Sequence, residues 1–252
     1  VADPDLLGSV YEVDTATLEI TREVKVGHQP DELVVVDDKL YVVNSGGYLI
    51  NRYDSTMSVI DLHSFTELRK VVVGLNPTRL RLDDQKHLWV CCQGNYNQTA
   101  PQVVVLQNEA VIQRILTPCP NISIQGTTAY VIDNEQNTLN TISTIDFALS
   151  AFNFQQTPSF ENPYGLLATA DALYITDAKN YVSSGVLHCY SYDGREHWCA
   201  QTGDIPGRLC RVMGAYDIHG DTVPEPPKNS PYITRVYEYL PAMGQFVNEL
   251  PK

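Results

Sequence analysis

The sequence predicts an all-β fold, a β-propeller of four-stranded antiparallel blades, and three observations carry that prediction. Five prolines, Pro30, Pro77, Pro120, Pro163 and Pro206, recur at spacings of 47, 43, 43 and 43 residues, a period that marks radially repeated four-stranded units. A triplet centred on a large aromatic follows the first four: Leu40-Tyr41-Val42, Leu88-Trp89-Val90, Ala129-Tyr130-Val131 and Leu173-Tyr174-Ile175. β-branched and aromatic residues dominate the apolar runs, and no helical period is sustained.

Each element follows in order from the proline. A short approach segment ends on it, as in Gly27-His28-Gln29-Pro30 and Gly74-Leu75-Asn76-Pro77; glycine permits the positive φ of a tight crossover and proline sets the direction of the next strand. The first strand, a, is apolar: Leu33 to Val36, Leu80 and Leu82, Ile122 and Ile124, Leu166 and Leu167. A polar turn leads to strand b with its aromatic triplet, a column expected to pack blade against blade. Strand c is expected at Met57 to Asp61, Val103 to Leu106, Thr141 to Asp146 and Val186 to Tyr190. Strand d is expected at Arg69 to Val73, Val111 to Leu116, Ala151 to Phe154 and Glu196 to Gln201.

Ser9 to Val13 and Arg22 to Val26 match strands c and d of a unit whose a and b are absent, and a fifth unit begins near Arg208 to Val212. An open ring leaves sheet edges unpaired, so two arrangements fit. Arg208 to Val212 and Ile233 to Tyr239 complete a five-bladed closed ring, or the chain is part of a seven-bladed one. The expected division is blades over 8–216, a proline-rich linker over 217–231, and a further module or closing strand over 232–252.

The chain has 252 residues, 43% of them hydrophobic, and a net charge of -13. That charge argues against nucleic acid, since nothing basic is available to neutralise phosphates. No apolar run is long enough to predict a transmembrane segment. The first residues carry no basic or apolar leader pattern, which fits a cytosolic chain or a mature or internal fragment.

In a propeller the d-to-a and b-to-c connections share one face. Here the b-to-c loops are long and rich in Asn, Gln and Tyr (44–56, 93–101, 134–138, 178–184), whereas the other turns are short. Such loops on a rigid scaffold offer amphipathic contacts and adaptable hydrogen bonds. The candidate ligand-binding residues are Tyr48, Asn51, Arg52, Tyr53, Asn95, Tyr96, Asn97, Asn180 and Tyr181, against the alternative that they are solvated loop residues. The column two past each proline, Glu32, Arg79, Ile122, Gly165 and Arg208, adds Arg79 and Arg208. With one acid in that column, a ring of carboxylates around a hard cation is not expected, so no metal and no cofactor are predicted. The six histidines fall in different columns. Neither a Gly-x-Ser-x-Gly elbow nor a phosphate loop occurs, so no catalytic residue is predicted and the chain reads as a non-enzyme.

The six cysteines lack zinc-ribbon spacing. Cys189 and Cys199 sit on two arms of a hairpin centred on Gly194, where a disulfide and free thiols are both compatible with the pattern. Cys91 and Cys92 are adjacent on a strand and so face opposite sides.

Val26-Gly27-His28-Gln29-Pro30, with Leu40-Tyr41-Val42-Val43-Asn44 and Met57-Ser58-Val59-Ile60-Asp61, resembles the YVTN or YncE-like propeller repeat over roughly Gly8 to Pro206. The third unit departs, with Thr117-Pro118-Cys119 in place of the glycine approach. Gly203-Asp204-Ile205-Pro206 and Pro231-Tyr232-Ile233-Thr234, leading to Gly244-Gln245-Phe246-Val247-Asn248, resemble surface lipoproteins of gut Bacteroidetes, a group that includes BtuG-like cobalamin-capture propellers. The resemblance implies an extracellular or outer-membrane location, further blades and a lipidated cysteine upstream, and further sequence downstream. It implies capture of a small polar nutrient, cobalamin-like or a glycan. The alternatives are a protein-interaction scaffold partnering a TonB-dependent outer-membrane transporter and, behind it, a propeller lactonase or lyase.

Overall fold

A computed structural model of the chain describes residues 7–49, 52–210, 238–240 and 245–247. It divides into two compact units, Val1–Asn153 and Phe154–Lys252. Among the described residues every regular element is a β-strand, and no helix is long and apolar enough to cross a membrane.

The first unit opens with a two-stranded pair, β1 (Ser9–Val13) and β2 (Ile20–Lys25), matching the expected c and d strands of an incomplete blade. Three four-stranded antiparallel sheets follow. The first holds β3 (Pro30–Val36), β4 (Lys39–Asn44), β5 (Thr56–Asp61) and β6 (Thr66–Val72) in sequence order. The second holds β7 (Pro77–Leu82), β8 (Leu88–Cys92), β9 (Gln102–Gln107) and β10 (Ala110–Leu116). The third holds β11 (Ile122–Gln125), β12 (Thr128–Asp133), β13 (Thr138–Ser143) and β14 (Leu149–Ala151). Strand β7 touches both β3 and β11, so the a strands of these blades are neighbours.

Packing between blades follows the strand period of two. One face of β8 sends Leu88, Val90 and Cys92 to a core with Tyr41, Val43, Met57 and Val59 of the preceding blade. The other face sends Trp89 and Cys91 to a core with Ile122, Ala129, Val131 and Ile142 of the next. The adjacent cysteines therefore enter two different cores, both fully buried, as the alternation requires. Val10, Val24 and Val26 close the other side of the first blade against Leu40, Val42 and Ile60.

A charged clamp joins the first two complete blades. Asn108 and Glu109 both take positive φ (49° and 67°) in the β9–β10 hairpin, the backbone that matches strand twist in a two-residue turn. That turn delivers the Glu109 carboxylate to Lys39 Nζ (2.8 Å), Tyr41 Oη (3.1 Å) and Arg69 Nε (2.6 Å). Burial pushes the Glu109 carboxyl up, but hydrogen bonds from Lys39, Arg69 and Tyr41 outweigh it and hold it below the usual range. Burial, then the Glu109 charge, push the Tyr41 phenol up to about 12.

The proline period has a structural counterpart at the end of strand b. Pro30 lies opposite Asn44 and Pro77 opposite Cys92; in the second unit Pro163 lies opposite Asp177. Asn44 Oδ1 accepts the Gly27 N–H (3.1 Å) while its amide donates to Thr56 and Ser58. A Cβ on Gly27 would lie 2.5 Å from the Asn44 side chain, so the glycine of the approach segment is needed there for space.

Among the described residues the second unit contains one four-stranded sheet, β15 (Pro163–Ala168), β16 (Leu173–Asp177), β17 (Ser184–Tyr190) and β18 (Glu196–Asp204), and a short hairpin, β19 (Glu238–Leu240) with β20 (Gln245–Val247).

One expectation needs correction. In the third blade strands c and d begin earlier than the expected Thr141 and Ala151. Asp133 Oδ1 caps a tight turn by accepting the Glu135 and Gln136 N–H groups (3.1 and 3.0 Å), so β13 starts at Thr138. Of the two states left open for Cys189 and Cys199, both are free thiols: the register places Cys189 opposite Trp198 and Cys199 opposite His188, with Cys189 buried and Cys199 exposed. The expected strand over Ile233 to Tyr239 falls mostly outside the described residues; its described end lies in Glu238–Leu240 (β19), which pairs with Gln245–Val247 (β20). The linker over 217–231 lies outside the described residues, as does all of Arg208 to Val212 after Cys210.

Candidate functional site

The b-to-c loop of the first blade, between β4 and β5, is fixed at both ends. Ser45 and Gly46 N–H groups donate to the Gln29 and His28 carbonyls (3.0 Å each), and Asp54 N–H donates to the Ser45 carbonyl (3.1 Å). Gly46 has φ +58°, and a Cβ there would lie 2.5 Å from the Asp54 nitrogen, so only glycine fits. Asp54 is the anchor. Its Oδ1 accepts from Ser55 N–H (2.7 Å), Thr56 N–H (2.9 Å) and Thr56 Oγ1 (2.7 Å), and its Oδ2 from His28 N–H (2.9 Å). Burial pushes this carboxyl up, but those hydrogen bonds together hold it below the ordinary carboxylate range.

Arg52 and Tyr53 directly precede that anchor and border an open cleft of about 390 Å³ shared with His28, Asp54, Thr56 and Lys70. The Arg52 side chain is exposed and Tyr53 half-buried. His28 Nδ1 lies 3.4 Å from Asp54 Oδ2, and Lys70 Nζ donates to Glu67 (2.7 Å). At the edge of Tyr53 stands Tyr96 from the next b-to-c loop, ring centroids 6.2 Å apart and nearly perpendicular, a favourable aromatic geometry. Tyr96 adopts φ 57°, a conformation that costs a side-chain-bearing residue energy, yet 75% of its surface faces solvent.

The candidate residues thus separate. Arg52, Tyr53 and Tyr96 come together in the first unit. Tyr48 shares the first loop, donating its N–H to Gln29 Oε1 (2.6 Å) with its ring exposed, but does not border the cleft; Asn51 lies outside the described residues. Asn95 shapes its own loop: its Oδ1 accepts the Asn97 and Thr99 N–H groups (3.1 and 2.8 Å), and Asn97 is exposed. Arg79 lies against Asp31 (3.5 Å) and Glu32 (3.8 Å), while Glu32 also accepts from Arg81 and Leu80 N–H. Opposite charges in the expected column therefore pair with each other. Asn180, Tyr181 and Arg208 belong to the second unit, where Tyr181 packs edge-on to Tyr164 at 5.8 Å.

Sequence reasoning passed over His28, Asp54 and Lys70. His28 had a usable signal, because the d-to-a segment that holds it shares a face with the b-to-c loop. Lys70, on β6, had none.

No protein-family model matches the chain, and no curated protein does either. Solved structures do. The chain is similar to Kuenenia stuttgartiensis hydrazine synthase at 16% identity, covering 80% of this chain and 71% of that one, with a TM-score of 0.59. It is similar to BamB from Moraxella catarrhalis at 10% identity (TM-score 0.58), covering 82% of this chain; it spans only 59% of BamB. A functionally unknown protein from Desulfotomaculum acetoxidans DSM 771 is 12% identical with a TM-score of 0.60, covering 97% of this chain and 76% of that one. At these identities the likeness is one of fold, and with the four-stranded antiparallel sheets it establishes a β-propeller-type architecture.

Proposed function

We propose that this chain is a non-enzymatic binding propeller, acting at the cell exterior or outer-membrane surface, whose loop-rich face in the first unit captures a small polar ligand. The observation that carries this reading is the cleft itself. An exposed guanidinium and a tyrosine edge are held on a loop whose base is locked by Asp54, with a second tyrosine beside them. Its volume is at the low end of the ~300–1,000 Å³ typical of small-ligand sites, which suits one or two sugar rings. A corrinoid would have to spread over the open face. The tyrosine rings offer flat apolar surfaces to sugar C–H groups, and Arg52 and His28 offer hydrogen bonds to hydroxyls. The acid of the cleft, Asp54, has both oxygens engaged, one by Ser55 and Thr56 of its own loop and the other by the His28 N–H, which supports a structural role over a general-base one.

Saturation-transfer NMR with a panel of mono- and disaccharides, and with cyanocobalamin, tests the proposal. Signal transfer to at least one ligand, lost in Tyr53→Ala, is expected. No transfer to any member would overturn the small-ligand reading.

One observation favours a second reading, a scaffold for a partner protein such as an outer-membrane transporter: the Tyr48 and Tyr96 side chains, 82% and 75% exposed, are amphipathic anchors of the type enriched at interfaces. Among the solved structures of similar fold is a complex of KlAtg21 with the coiled coil of AgAtg16. Pull-down by the isolated chain that is lost in Tyr48→Ala and retained in Tyr53→Ala would favour the scaffold.

A further inference from the structure

The β17–β18 hairpin of the second unit brings three metal-ligating side chains to one place. The bulge that puts Cys199 opposite His188 and Glu196 opposite Tyr190 leaves His188, Glu196 and Cys199 on the same side of the sheet. A ring nitrogen of His188, a carboxylate oxygen of Glu196 and the Cys199 sulfur all lie within 4.8 Å of one another. We propose that these three residues form a binding site for a zinc-class divalent transition-metal ion, one that keeps a fourth coordination position for water or an incoming ligand.

The donor set fits such an ion and not a hard one. Imidazole nitrogen and thiolate sulfur select borderline metals, whereas calcium and magnesium take oxygen ligands. Tetrahedral zinc with bonds of about 2.0–2.3 Å holds its ligand atoms roughly 3.3–3.6 Å apart. Closing from 4.8 Å takes about an ångström of movement, available to Glu196 and Cys199 because both are exposed.

The histidine supplies the independent observation. His188 Nδ1 contacts Glu196 Oε1 at 2.6 Å, and its ring is packed edge-on against Phe160 at 5.2 Å and stacked on Tyr190 at 6.2 Å. Nε2, however, is buried and has no hydrogen-bond partner among the described residues. A buried ring nitrogen with no partner is a cost in a purely structural histidine. Nδ1 is the nitrogen that faces Glu196, so the ring ligates an ion through Nδ1 as the neutral tautomer, with its proton on Nε2. On binding, the Cys199 thiol gives its proton to solvent as the thiolate takes the ion, so affinity rises with pH.

Cobalt(II) is the probe, because a thiolate ligand gives it a near-ultraviolet charge-transfer band. Titration of the full chain is expected to produce that band at one ion per chain, displaced by zinc. Cys199→Ser, at an exposed position, is expected to abolish the band with the circular dichroism spectrum unchanged, and His188→Gln to weaken binding on the order of 10- to 100-fold. Cys210→Ser, altering the other exposed thiol, is the control and is expected to keep the band. Absence of the band in the wild type, or its persistence in Cys199→Ser, would overturn the proposal. So would an affinity unchanged by His188→Gln.

Discussion

Two b-to-c loops of similar composition serve different ends. In the second unit, loop 178–183 spends its polar groups on itself. Asp177, fully buried, accepts from Glu161 N–H (3.0 Å), Asn162 N–H (2.8 Å) and Lys179 N–H (3.0 Å) and pairs with Lys179 Nζ (2.9 Å). Asn180 Oδ1 accepts from Val182 N–H, Ser183 N–H and Ser183 Oγ at 3.0, 2.8 and 2.9 Å. In the first unit the same work falls to the ends of loop 45–55, on Gly46 and Asp54, and Arg52 and Tyr53 are left bordering a cleft. Asparagine-tyrosine richness therefore marks a long ordered loop; whether its side chains reach outward depends on where the anchoring carboxylate stands.

That contrast breaks most visibly at Asp177. Asp177→Ala removes a buried carboxylate, leaves Lys179 with Glu161 as its remaining acid and three N–H groups without their acceptor, and is expected to cost about 3 kcal/mol in urea unfolding. Burial pushes this carboxyl up, but its hydrogen bonds outweigh that and set it below the ordinary value. Its stabilisation is therefore present above the unfolded-state pKa of about 3.9 and is lost as pH falls through the lower folded value. The gap between wild type and Asp177→Ala should narrow below about pH 4; a gap that widens with acid would contradict the assignment.

Arg52→Ala comes next. It is expected to weaken ligand binding about tenfold, equivalent to ~1.4 kcal/mol, while shifting stability by less than about 0.5 kcal/mol, as exposed substitutions do. Asn180→Ala should show the reverse: about 1 kcal/mol of stability lost with its turn and binding in the first unit unchanged. The smallest effect is expected from Tyr48→Ala, within about 0.5 kcal/mol for stability and without change in small-ligand affinity. A large loss of affinity there would enlarge the site beyond the cleft.

The blades were legible because one residue type repeats one job: Pro30, Pro77 and Pro163 all sit opposite the last residue of strand b, though Pro120 lies before its blade's first strand, and Tyr41 and Trp89 both fill blade interfaces. What escaped were local shifts that pattern does not encode. The Asp133 turn moved β13, and a bulge between β17 and β18 set Cys199 opposite His188, where it joins a mixed donor cluster. At the cleft, Arg52 and Tyr53 were readable from loop position. Asp54 was not, because an aspartate followed by Ser and Thr reads as an ordinary turn until its carboxylate is seen to take His28 N–H across the face.

The central claim is that the cleft beside Arg52 and Tyr53 is a ligand site. Isothermal titration of the wild-type chain and of an Arg52→Ala, Tyr53→Ala double variant with the ligand that gives NMR transfer tests it most directly. One-to-one binding by the wild type, weakened at least about tenfold in the double variant with unfolding unchanged, is the predicted result. Equal affinity in the two proteins would contradict the claim and move the site elsewhere on the propeller.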